Sequence, residues 1–162
     1  MRPAVAPAIR HAEPRDHARV AGVVDEWWNG RPMRDMLPRL FFVHFRETSF
    51  VAERGEHLVG FLCGFLSQTF PDEAYVHFAG VHPEQRGLGV GRALHTRFFE
   101  AAGCCGRSVV RCVTAPVNRD SLAFHTRLGF TIVPGDGTVD GLPVHRDYDG
   151  SGGVRVLFVK VL

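Results

Sequence analysis

Apolar residues recur at helical spacing over the first third of the chain, and then the period shortens to that of strands. Ile9–Ala12 reads as a short first strand. Asp16, after Pro14, reads as the cap of a helix whose apolar positions are Val20, Val23, Val24, Trp27 and Trp28 and which Gly30 closes. Two adjacent tryptophans cannot share one helix face, so one of the pair is expected at a groove or an interface. MRDMLPRLFFVHF is a second helical stretch, kinked at Pro38. Strands follow at Ser49–Glu53 and Leu58–Leu66, around an Arg54-Gly55-Glu56 turn, and at Ala74–Val81. A glycine-rich turn, Glu84–Gly91, leads into a helix over Val90–Ala102 that Gly103 closes. Ser108–Thr114 reads as a buried strand, Asn118–Leu128 as a helix closed by Gly129, and Phe130–Val133 and Val154–Val161 as the last strands. A meander followed by alternating strands and helices predicts one α/β domain over residues 8–162 with a mixed sheet, after a flexible tail at 1–7.

Composition narrows the function classes. The 19 basic and 17 acidic residues leave a net charge of +2, which gives no footprint for a nucleic-acid partner. No apolar run approaches the roughly 20 residues that cross a bilayer, and the N-terminal stretch carries no hydrophobic signal core, so no membrane association is expected. Cys63, Cys104, Cys105 and Cys112 show no C-x-x-C pair, which fits free thiols, small buried residues and a cytoplasmic setting. No His/Cys/Asp set has the spacing of metal ligands, so no metal is expected.

The turn Arg86-Gly87-Leu88-Gly89-Val90-Gly91 joins a strand to a helix. Its glycines let backbone N–H groups point inward, and the helix start adds free donors and partial positive charge. Such a turn suits a phosphate or pyrophosphate, with Arg86 and Arg92 as flanking cations. It lacks the Gly-Lys-Ser/Thr ending of a P-loop, and its G-x-G-x-G spacing is not the dinucleotide G-x-G-x-x-G. An ordinary tight turn remains the competing reading.

Val81-His82-Pro83-Glu84-Gln85 followed by that turn resembles the acyl-CoA motif of the GCN5-related N-acetyltransferases, R/Q-x-x-G-x-G/A, with Arg86, Gly89 and Gly91 at its defined positions. Asn118 to Phe130 resembles the family's N-x-x-A-x-x-F-Y-x-x-x-G-F block. The resemblance implies an α+β fold, with a splayed mixed sheet of about six to seven strands flanked by about four helices. It implies direct transfer of an acetyl group from acetyl-CoA to a primary amine of a small molecule or peptide. Ala79, Gly80 and Val81 would then pair with the pantetheine arm. Arg86, Gly87, Leu88, Gly89, Val90, Gly91 and Arg92 would hold the pyrophosphate. Asn118 is either a pantetheine contact or a helix cap.

Strand alternation places Glu73, Tyr75, His77, Ala79 and Val81 on one face. Tyr75 and His77 match positions where relatives carry their general base, and an imidazole suits that role, although a half-buried structural histidine is the plain alternative. His125 stands where the family carries an acidic tyrosine, so it is an acid, a hydrogen-bond partner of the sulfur, or packing. That departure keeps open a catalytically impaired acyl-CoA-binding module. The acceptor pocket is expected from Trp27, Trp28, Met33, Met36, Phe41, Phe42 and Phe45 with the segment Gly135–Gly153. Asp136, Asp140, Asp147 and Asp149 there would suit a cationic amine. Val154–Val161 reads as a long apolar edge strand, which predicts a homodimer.

Overall fold

The computed structural model describes residues 6–162, so most of the tail expected at 1–7 lies outside the described residues. The strands are β1 (Ala8–His11), β2 (Phe50–Arg54), β3 (His57–Leu66), β4 (Glu73–Val81), β5 (Val109–Thr114), β6 (Thr131–Ile132), β7 (Gly137–Val139), β8 (Leu142–Val144) and β9 (Val156–Val161). The helices are α1 (Asp16–Ala21), α2 (Val24–Trp27), α3 (Val90–Cys104) and α4 (Arg119–Arg127). Seven strands form one mixed sheet in the order β1-β2-β3-β4-β5-β9-β6. Among the described residues, only the central pair β4–β5 of this sheet is parallel. The expected fold class holds.

Each sheet face carries its own apolar core. α3 and α4 cover one face with Leu94, Phe98, Leu122 and Leu128 against Phe50, Leu62, Val76 and Phe158. The other face packs Val20, Val24, Trp27, Leu37, Phe41 and Phe42 against Val51, Phe61, Cys63 and Phe78.

Several local expectations change. The first helix breaks into α1 and α2 at Gly22-Val23, where glycine and a β-branched residue weaken it. The stretch expected as a second helix is instead a series of 3₁₀ turns, at Arg34–Met36 and Arg39–Phe42, with a third at Arg46–Thr48. Pro38 removes a donor and holds Leu37 out of helical geometry, at φ −120° and ψ 67°. α3 runs through Gly103 to Cys104. The segment before β9 contains the hairpin β7–β8, whose Asp140-Gly141 turn has φ of 50° and 78°, the mirror-image turn that matches strand twist. β9 is not an edge: β5 flanks it on one side and β6 on the other, which removes the argument for pairing two copies through it. Cys63 and Cys112 are buried, with thiols pushed up by burial, whereas Cys104 and Cys105 are exposed.

Asp16 is not a cap. The N-cap position is Arg15, with no side-chain bond, and Asp16 lies fully buried at the centre of a charge network. Arg10 donates to both of its oxygens, at 2.7 and 2.9 Å, and to both oxygens of Glu53, at 3.1 Å each. Arg19 bridges Asp16 at 3.0 Å and Glu53 at 2.7 Å, and the Glu13 N–H donates to Asp16 at 2.8 Å. Burial pushes the Asp16 carboxyl up, but the bonds from Arg10, Glu13 and Arg19 outweigh it and hold the group below its ordinary value. The network ties α1 to β1 and β2.

Candidate active site

The parallel ladder between β4 and β5 ends early. Glu73, Ala74 and Tyr75 pair with Val109, Val110 and Arg111, and the strands then part. From Cys112 to Thr114, β5 pairs only with β9, while β4 continues beside β3 to Val81. The middle of the sheet is therefore split, open toward the C-terminal end of β4. In an antiparallel ladder, residues alternate between bonding their partner and turning their polar groups away. The His82 N–H donates to the Val59 carbonyl at 2.9 Å, so Gly80 and Phe78 bond β3 as well. Ala79 and Val81 then turn their backbone N–H groups into the split.

At His77 the register shifts. Cys63 pairs with Phe78 and Gly64 with Val76, which leaves His77 as an extra residue, a β-bulge. The bulge overturns the expected five-residue face. Ala74 and Val76 point to the α3 face before it, and Ala79 and Val81 point to that face after it. Tyr75 stacks on Phe65 and His77 on Phe41, both on the α1–α2 face. Tyr75 and His77 thus stand on the opposite face from Ala79 and Val81. On the α1–α2 face Gly80 lies under Trp28, where an added Cβ would sit 2.5 Å from Cη2 of the indole. Trp27 is buried and Trp28 half-buried, and both rings pack on Phe61. Because α2 ends at Trp27, the two neighbours need not diverge as they would within a helix.

At the open end of the split lies the glycine-rich turn. Gly87 and Gly89 adopt φ of 76° and 84°, and Gly89 is the N-cap of α3. The first intrahelical bond runs from the Ala93 N–H to the Gly89 carbonyl, so the N–H groups of Val90, Gly91 and Arg92 have no helical acceptor. These donors and the dipole of a 15-residue helix converge at one end, with Arg92 in that first turn, which suits a pyrophosphate. Arg86 does something else. Its Nη2 donates to the Trp27 carbonyl at 2.6 Å and its Nε to the Val81 carbonyl at 3.2 Å. The side chain fastens the turn to the end of α2. Asn118 caps α4, its Oδ1 accepting from the Ser121 N–H at 3.1 Å.

His77 Nε2 lies 2.7 Å from the Met36 carbonyl. A carbonyl only accepts, so Nε2 carries the hydrogen and a neutral ring keeps its lone pair on Nδ1. Tyr75 is pushed above the ordinary phenol range by burial and then by the Tyr148 hydroxyl, 3.4 Å away, so it stays protonated at neutral pH. His125 donates from Nδ1 to the Ser121 carbonyl at 2.8 Å and stacks on Phe158 at 5.0 Å. Burial lowers its pKa, so a neutral ring with an unprotonated Nε2 is favoured. The acidic residues of the loop are taken: Asp149 pairs with Arg155 at 2.6 Å, and Asp136 and Asp147 accept from the backbone N–H groups of Arg146 and Gly152. Asp140 lies 3.6 Å from Arg119. Two of the four are thus paired with arginines, and the other two brace the loop's own backbone. Among the described residues, no cluster of His, Cys, Asp or Glu is arranged to hold a metal.

His95 was not anticipated as special. Its Nδ1 donates to the Gly91 carbonyl at 2.8 Å, and its Nε2 is buried without a partner among the described residues. Burial, and then His125, lower its pKa to about 4. The unfolded chain takes up this proton near pH 6.5, and the folded chain only near pH 4, so stability is lost as pH falls through that window. Asp16 and Glu53 are held below their ordinary values and do not titrate there. His95 is expected to contribute about 2 kcal/mol to the stability lost between pH ~7.5 and pH ~5 in urea unfolding, with His125, also lowered by burial, adding to it, and His95→Leu to remove the His95 share. An equal loss in the variant would assign it to other groups.

The Acetyltransferase (GNAT) family model matches residues 7–130, and the chain belongs to that family. It is 38% identical over 137 residues to the L-methionine sulfoximine/L-methionine sulfone acetyltransferase of Salmonella typhimurium, covering 76% of this chain and 80% of the relative. It is 31% identical over 85 residues to the L-2,4-diaminobutyric acid acetyltransferase of Shouchella clausii, covering 52% of this chain and 48% of the relative. The match to that second enzyme thus spans about half of its length. Ard1 from Thermoplasma volcanium shares the fold at a TM-score of 0.77 and 20% identity, with 98% of this chain and 99% of Ard1 covered. Diaminobutyrate acetyltransferase EctA from Paenibacillus lautus, solved with L-2,4-diaminobutyric acid and coenzyme A, does so at 0.70 and 22% identity, covering 94% and 93%.

Proposed function

We propose that this chain is an acetyl-CoA-dependent N-acetyltransferase that acetylates the primary amine of a small molecule by direct transfer. The observation that carries the reading is the split between β4 and β5, opening beside the α3 turn with its free backbone donors. Acetyl-CoA supplies the acetyl group as a thioester. The backbone of Gly87–Arg92 and the Arg92 side chain hold its pyrophosphate, and the N–H groups of Ala79 and Val81 meet its pantetheine arm. Leu88, half exposed at 52%, stands at the rim. Arg86 holds the turn in place, and Asn118 holds the start of α4. Names of relatives support a small acceptor, since the two enzymes above act on amino acids or their analogues.

His77 takes the amine's proton on Nδ1, because Met36 occupies Nε2 and the bulge sets the ring where β4 leaves β5. Tyr75 keeps its proton and serves as a donor. His125 presents a lone pair rather than a proton, so it packs and accepts a hydrogen bond instead of acting as the acid. A reduced, cytoplasmic setting accords with four free cysteines. A homodimer would form at surfaces other than β9.

The test is free-thiol release from acetyl-CoA with a panel of amines, with the acetylated product identified by mass. Acetyl-CoA binding without turnover of any amine would favour the impaired binding module instead. In the active protein, His77→Ala is expected to lower kcat/KM by about 10²–10⁴-fold. An unchanged kcat/KM in a folded variant would take His77 out of the proton path.

A further inference from the structure

One charged residue inside the sheet has no part in the reaction described above. Arg111 interrupts the apolar run of β5, whose Val110 and Cys112 are buried on the α3 face. It is paired in register with Tyr75 of the parallel neighbour, so the two side chains stand next to each other on the α1–α2 face. The pair is the last rung of the ladder before the strands separate. Along β4, His77, the proposed base, lies two residues beyond Tyr75, and Glu73 lies two residues before it.

The Arg111 guanidinium is held on one side only. Its Nε donates to Oε1 of Glu73 at 2.8 Å, and Glu73 is itself mostly buried, with a side chain 16% exposed. Both Nη atoms have no hydrogen-bond partner among the described residues, and the Arg111 side chain is 38% exposed. A fixed Nε with two free Nη donors is the geometry that grips a carboxylate with parallel bonds. The hydroxyl of its register partner Tyr75 lies 3.4 Å from that of Tyr148. On the loop, Asp149 is neutralised by Arg155 at 2.6 Å.

We propose that Arg111, oriented by Glu73, binds the carboxylate of the acceptor, so that the acceptor is a free amino acid or a close analogue rather than a peptide or a simple amine. The proposal rests on the N-acetyltransferase reading and adds the chemical class of the acceptor to it. Arg111 is a specificity-determining residue in this scheme and takes no proton.

The test compares kcat/KM for a set of free amino acids with that for the corresponding carboxamides, in wild type, Arg111→Gln and Arg111→Met. A charged hydrogen-bonded contact of this kind corresponds to about a 10- to 100-fold preference for the free acid. Both variants should bring the acid-to-amide ratio down toward one, with the loss in KM for the acid rather than in kcat. The amine's own basicity is the same for every enzyme form, so it cancels when ratios are compared. A purely structural Arg111 would slow acid and amide together and leave the ratio as in wild type, which would overturn the proposal. A wild type that prefers peptide N-termini over free amino acids would overturn it too, while leaving the N-acetyltransferase reading intact. That reading itself fails if calorimetry detects no acetyl-CoA binding and no amine releases thiol.

Discussion

Gly89→Val is expected to weaken acetyl-CoA binding by more than about 100-fold while the protein stays folded. Gly89 has φ 84° and ψ −1°, and a β-branched residue is strongly disfavoured there, by an amount on the order of 1–3 kcal/mol. There is open space around the position, so the effect is not a clash with a neighbour. The turn must instead relax toward negative φ. Gly89 is the N-cap of α3, so any relaxation there re-aims the N–H groups on which the proposed pyrophosphate site depends. Binding suffers twice, from strain in the correct shape and from misdirected donors in the relaxed one. Isothermal calorimetry with acetyl-CoA, beside a circular dichroism spectrum, checks this. Wild-type affinity in a folded variant would show that the turn is not the phosphate site.

Asp16→Ala is expected to cost about 3–5 kcal/mol, lowering Tm by about 10 °C. The carboxylate is fully buried and receives Arg10, Arg19 and the Glu13 N–H together. Without it, two guanidinium groups share Glu53 alone, and the Glu13 N–H loses its acceptor. Glu53 still binds both arginines, which places the expectation toward the lower end of the range. The stabilisation is present above the unfolded carboxyl value near 3.9 and is lost as pH falls through the lower folded value, so at neutral pH the full effect is measured. A change below about 1 kcal/mol in urea unfolding would mean that the network is worth no more than a surface pair. The network also bears on the site. It anchors α1, α2 follows directly, and the Trp27 carbonyl at the end of α2 receives Arg86 from the cofactor turn.

Local chemistry made much of this legible in the sequence. The strand–turn–helix around Arg86–Gly91 was readable because glycines and a helix start announce their backbone geometry within a few residues. The α4 cap at Asn118 and the mixed architecture were readable for the same reason. Arg111 had a signal, a cation within SVVRCVT, but its meaning depends on Tyr75 and Glu73 of another strand. Strand alternation puts His77 on one face with Ala79 and Val81, whereas the structure sets it on the opposite face. Strict alternation cannot show a bulge, because the extra residue is defined only by the register with β3.

By itself, then, the sequence determined most of the strands, the helices α3 and α4, the glycine-rich turn between β4 and α3, and the family. Tertiary structure alone decided where Arg86 points, that Asp16 is the hub of four charges, that β9 lies inside the sheet, and how far β4 and β5 run together before they part. Backbone conformation and periodicity act over a few residues. A guanidinium's partner, a strand's neighbour and a ladder's end are set by residues tens of positions away, which only the packed chain brings together.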